Sequence, residues 1–138
     1  MSGTGSILNF SEDITNALPP PPLPAGSYPA EIIGAQKRVS ATSGNEYAQI
    51  VFRIPAASYP ADYTAGDPDG IVLSYNRLLI EDTPSSRHRW RQFMERVGGP
   101  LGRTVDLNSL IGLTATVDIT HNEYEGEMRA QISRILAP

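Results

Sequence analysis

The sequence predicts a mainly β domain, five strands forming a barrel with one helix between the third and fourth, and three features carry that prediction. Apolar and polar residues alternate over several stretches, as strands with one buried face require. Only the segment around Trp90 carries apolar residues at helical spacing. Gly and Pro, 12 of each in 138 residues, punctuate the rest, which suits strands joined by turns.

Residues 1–24 read as a flexible arm. Ile7, Leu8 and Phe10 form a short apolar stretch, and Pro19 to Pro22 stand in a row. Consecutive prolines fix an extended polyproline spacer, which neither a helix nor a central strand tolerates. The folded domain is expected over residues 25–138, with nothing up to about Leu23 in its core. A length of 138 residues leaves little room for a second core.

The first strand is expected from Ser27 to Val39, where Tyr28, Ala30 and Ile32 alternate with their neighbours and Gly34 supplies a bulge or bend. Ser40 to Asn45 is a turn. In the second strand Ala48, Ile50, Phe52 and Ile54 share one face, and Tyr47, Gln49, Val51 and Arg53 share the other. Pro55 ends it. Ala56 to Gly70 has no apolar period and reads as a long loop, and Ile71 to Ile80 as the third strand.

Thr83-Pro84 opens the helix with a hydroxyl cap and a proline tolerated in the first turn. Trp90, Phe93, Met94 and Val97 form its apolar stripe, and Gly98-Gly99-Pro100 stops it. After a short turn over Asp106 to Leu110, Leu113, Ala115, Val117 and Ile119 alternate with Thr114, Thr116, Asp118 and Thr120 in the fourth strand. His121 to Gly126 reads as a polar hairpin loop, and Met128, Ala130 and Ile132 open the fifth strand. This order is that of the OB-fold. An open β-sandwich is the rival, but it has no need of an amphipathic helix at this point.

Composition narrows the function classes. Cysteine is absent, so neither a disulfide framework nor a thiolate metal site is available. No apolar run reaches the roughly 20 residues of a membrane span, and the first residues lack the pattern of a secretory leader. The default expectation is a soluble, intracellular protein with no membrane partner. A net charge of −4 argues against a broadly basic nucleic-acid coat but leaves room for a local basic groove.

Two stretches resemble a known family. Leu23-Pro24-Ala25-Gly26-Ser27-Tyr28-Pro29-Ala30-Glu31-Ile32, with the Ser-Gly-Asn turn and the strand after it, is similar to the opening of small phage and prophage single-stranded-DNA-binding OB-fold proteins. Leu110-Ile111-Gly112 and His121-Asn122-Glu123-Tyr124-Glu125-Gly126 resemble their closing half. The resemblance implies a sequence-tolerant protein that coats unwound DNA beside a phage replication or recombination apparatus, in the cytoplasm of an infected or lysogenic host. Oligomerisation is left open. The apolar end, Ile135-Leu136-Ala137-Pro138, departs from the acidic partner-recruiting tail of better-known single-strand binders.

Catalytic chemistry finds no constellation. His88 and His121 are separated by a helix, a turn and a strand, and neither has neighbours at metal-ligand spacing. Asp62, Asp67 and Asp69 lie in the long loop, where Asp67-Pro68-Asp69-Gly70 is a turn signal without the spacing of a calcium loop. Gly98 to Gly102 follows a helix and lacks the ending of a phosphate loop. No enzyme, cofactor or metal is expected.

Single-strand binding calls for cations along a groove and flat rings for stacking. The usual ligand face of an OB-fold covers the second and third strands and the loops beside them. That places Lys37, Arg38, Tyr47, Gln49, Arg53, Tyr75, Arg77, Tyr124 and Arg129 near one expected surface, with single-stranded DNA as partner. The arginine-rich helix, with Arg87, Arg89, Arg91 and Arg96 against Glu95, is a competing basic surface. The alternative is a protein-interaction or structural adaptor on the same barrel, since fold does not fix function.

Overall fold

The computed structural model describes residues 5–138. Five strands, β1 (Gly26–Val39), β2 (Glu46–Ile54), β3 (Ile71–Leu79), β4 (Thr114–Tyr124) and β5 (Glu127–Leu136), form one antiparallel sheet ordered β3-β2-β1-β4-β5. The helix α1 (Pro84–Val97) lies between β3 and β4 in the chain. It is too short to cross a membrane, and no described helix is long and apolar enough to do so.

β1 is long because it serves two neighbours. Residues Gly26 to Glu31 pair with β4, and Glu31 to Val39 pair with β2. The register slips between Ile32 and Gly34, so Ile33 is the extra residue of a bulge beside the glycine that sequence marks as a bend. Bulges raise local twist, and this one lets a single strand turn from one neighbour to the other.

The core follows the alternation. Tyr28, Ile32, Ile50, Phe52, Val117, Ile119 and Ile132, the residues expected inside, are all buried, as are Leu78 and Ile135. α1 closes one end with Phe93, Met94 and Val97 buried. Trp90 is half-buried against that core, and its indole N–H donates to the Leu79 carbonyl at 2.9 Å. The helix begins as its sequence dictates: Thr83 Oγ1 accepts from the Ser86 N–H at 3.2 Å, and Gly98 ends it at φ 74°.

Two expected boundaries move. The hairpin loop shrinks to Glu125-Gly126, because β4 continues through His121 to Tyr124 in register with β5. Both turn residues have positive φ, 51° and 81°, the requirement of a two-residue turn that matches strand twist. His121 to Tyr124 look like loop in sequence because the stretch has no alternation of apolar residues, the core ending before it.

The core also reaches back into the proline-rich segment. Leu23 is 1% exposed, although the domain was expected to start after it. A polyproline stretch has no internal hydrogen bonds, so its carbonyls are free to accept from elsewhere. Tyr63 Oη donates to Pro21 at 3.1 Å, Tyr28 Oη to Pro24 at 2.7 Å, and His121 Nε2 to Leu23 at 2.7 Å. Residues 17–21 and the earlier apolar side chains Ile7, Leu8, Phe10 and Ile14 lie exposed.

The closed barrel expected from sequence is not what the ladders form. Among the described residues no strand ladder joins β3 to β5, so the sheet is open at that edge. Each of the two edge strands carries a bulge. In β3, Asn76 and Arg77 together oppose Gln49, and in β5 Ser133 is the extra residue opposite Asp118 and Ile119. One bond crosses the gap, from Arg77 Nη1 to the Ser133 carbonyl at 3.4 Å.

Candidate nucleic-acid interface

Register divides the expected surface into four places. On β2 the inward series Ile50, Phe52 and Ile54 pairs with Tyr75, Leu73 and Ile71 of β3, so those three also point inward. The outward side carries Gln36 and Arg38 from β1, Tyr47, Gln49, Val51 and Arg53 from β2, and Val72, Ser74 and Asn76 from β3. Only Arg38, Tyr47, Gln49 and Arg53 of the nine candidates are brought together there.

On this face Arg38 stands directly opposite Tyr47. Arg38 Nε donates to Gln49 Oε1 at 3.3 Å, and the Gln36 side-chain oxygen, turned to meet its donors, accepts from Arg38 Nε at 3.2 Å and Nη2 at 3.0 Å. Arg38 is in none of the ion pairs formed by the described residues, so its charge is not neutralised. The Tyr47 ring is half-exposed beside it. Arg53 sits further along, 3.9 Å from Glu31 and half-exposed.

The aliphatic stem of Arg53 crosses the start of β3 at Gly70, where φ is +102°. A Cβ at Gly70 would lie 2.8 Å from the Ile54 carbonyl and 3.0 Å from Arg53 Cγ. Glycine is therefore required there, and the Arg53 stem passes over it. The loop before it is built rather than loose: Tyr59 Oη donates to the Asp67 carbonyl at 2.7 Å, and the Asp69 N–H to Asp67 Oδ1 at 2.8 Å.

Tyr75 and Arg77 do not belong to the outward face. Tyr75 stacks on Phe93 of α1, with ring centroids 6.4 Å apart and planes 7° from parallel. Parity would put Arg77 beside it on the strand, but the β3 bulge intervenes, and the guanidinium reaches the β5 edge instead. Both residues line a cleft of about 290 Å³ under α1. Sequence carried the signal for Tyr75, since Ile71, Leu73 and Tyr75 alternate with Val72, Ser74 and Asn76; nothing in Asn76-Arg77 announces the bulge.

Lys37 opposes Ala48, which is fully buried, so it belongs to the inward side. It lines a larger groove of about 1070 Å³ that also meets Trp90, Leu101 and Arg103. Tyr124 and Arg129 form the fourth place, at the tip of the β4–β5 ribbon. The Arg129 guanidinium carbon lies 4.7 Å from the Tyr124 ring centroid, and Glu127 is 3.8 Å from Arg129. Tyr124 is 53% exposed, enough to offer its free face to a base.

On the other half of the sheet, Asp118 joins three strands. Ser27 Oγ donates to it at 2.5 Å and Arg134 at 2.8 Å, and these bonds, Ser27 first, hold its carboxyl below the usual aspartate range. The Asp118 and Arg134 charges are thus satisfied by each other. Among the described residues no group of three or more His, Asp or Glu side chains could hold a metal ion. No protein-family model matches this chain, and no curated protein matches it.

Proposed function

We propose that the protein binds single-stranded DNA across the outward face of β1, β2 and β3. The observation that carries this reading is the pairing of an un-neutralised guanidinium, Arg38, with a half-exposed ring, Tyr47, on an open sheet surface. A base stacks on a ring of this kind for about 1 to 3 kcal/mol without regard to sequence, while a guanidinium beside it takes the phosphate. Gln49 offers an amide to base edges. Arg53 extends the cationic track, and Tyr124 with Arg129 supplies a second stacking unit on the ribbon.

The fold reading that goes with this is an OB-type barrel. Its support is the strand order β3-β2-β1-β4-β5, the helix between β3 and β4, and the Arg77–Ser133 bond across the remaining edge. The resemblance to phage and prophage single-strand binders adds a setting, DNA replication or recombination in a bacterial host.

A fluorescent oligo-dT and a matching duplex, titrated at two salt concentrations, test the function. The single strand is expected to bind more tightly than the duplex, with affinity that falls steeply as salt rises because counterions are released. Absence of oligonucleotide binding at low salt would refute the reading and leave the adaptor role.

A further inference from the structure

The cleft between α1 and the facing edges of β3 and β5 gathers three arginines. On α1, Arg89, Gln92, Phe93 and Arg96 follow the spacing i, i+3, i+4, i+7, so they share one side of the helix. Arg77 approaches from the β3 bulge, and Tyr75 stacks on Phe93 to form the apolar wall between them. None of Arg77, Arg89 and Arg96 enters an ion pair among the described residues. The other two helix arginines are spoken for, Arg91 by Glu95 at 2.6 Å and Arg87 by Asp82.

No carboxylate lines this cleft. Three like charges converging on one concavity repel one another, and an anion placed among them removes that cost. Guanidinium groups present paired donors that fit phosphate oxygens two at a time. Arg77 is already oriented by the Ser133 carbonyl at 3.4 Å, and the Gln92 side chain adds a neutral donor. The volume, about 290 Å³, is at the small end of ligand pockets, which suits a phosphate with its ester group and little more.

We propose that this cleft is a phosphate-binding site, taking a phosphate mono- or diester through Arg77, Arg89 and Arg96. It stands apart from the sheet-face reading, because none of its residues lies on the outward face of β1 and β2. The phosphate has two chemical sources, a free monoester or the backbone of a strand wrapping past the β3 edge.

The test is an NMR titration with inorganic phosphate, against chloride at matched ionic strength, following the Gln92 side-chain amide and the Nε–H groups of Arg77, Arg89 and Arg96. Saturable shifts with phosphate and none with chloride are expected. The double variant Arg89→Gln with Arg96→Gln should weaken phosphate at least tenfold while leaving the rest of the spectrum in place. Arg89→Lys, which keeps charge but loses the paired donors, should give a smaller loss. Shifts that never saturate, that chloride reproduces, or that survive the double variant overturn the proposal.

An oligo-dT titration of the same double variant separates the sources. A salt slope lower by about two phosphates' worth assigns the site to the strand backbone, and an unchanged slope assigns it to a free ester. Should oligo-dT not bind at all, the phosphate titration still decides the cleft, so failure of the two readings is distinguishable.

Discussion

At the scale of single residues, the outward face separates stacking from charge. Tyr47→Ala should weaken oligo-dT binding by about 1 to 3 kcal/mol with the salt slope nearly unchanged. Arg38→Gln should instead lower the slope by about one phosphate's worth. Fluorescence anisotropy over a salt series checks both, and unchanged affinity in both variants would move the site off this face. Asp118 is a separate case. Its carboxyl is held below the ordinary aspartate pKa, so its bonds to Ser27 and Arg134 contribute stability above about pH 3.9, the unfolded value. That contribution disappears as pH falls through the lower folded value. Asp118→Asn should therefore melt below the wild type at pH 7, with the gap closing toward pH 3, as circular dichroism would read. A constant gap across that range would show that charge is not what Asp118 contributes.

At the scale of elements, the strap ahead of β1 is the place where composition misleads. Pro19 to Pro22 read as a spacer, and four prolines cannot join a ladder, yet Leu23 right after them is fully buried and three side chains bond to carbonyls of this stretch. Removing residues 1–18, which lie on the surface where described, should leave the melting temperature within a few degrees. Leu23→Ala should cost about 2 to 5 kcal/mol, the usual range for a buried leucine, measured by denaturant unfolding. A cost near zero would show that the strap rests on the domain without filling it. Elsewhere sequence and structure agree where periodicity is strong: Ala48 to Ile54, Ala115 to Ile119 and the cap-to-glycine frame of α1 were all legible. What was not legible depends on register between strands. Arg77 shares its parity with Tyr75 in sequence, but the β3 bulge opposite Gln49 sends its guanidinium to the β5 edge instead. Likewise four arginines on one helix look like one surface until Asp82 and Glu95 claim two of them.

At the scale of the whole molecule, three ladders join consecutive strands and the fourth, β1 with β4, joins distant parts of the chain. Ladders such as Gly26 with Ile119 must bring together residues far apart in sequence, and folding that depends on such contacts occurs in milliseconds to seconds. Trp90, the single tryptophan, reports the step in which α1 docks on Leu79. Stopped-flow refolding followed at Trp90 should fall in that range, and a microsecond phase carrying the whole amplitude would contradict it. The double pairing of β1 has a further result for synthesis on the ribosome. Its later half finds β2 almost at once, but Gly26 to Ala30 pair only with β4, which emerges last but one. During translation this half-strand is an unpaired edge, the kind of surface that other chains extend. Its own Pro29, which has no N–H to offer an intruding strand, stands in the middle of that waiting segment.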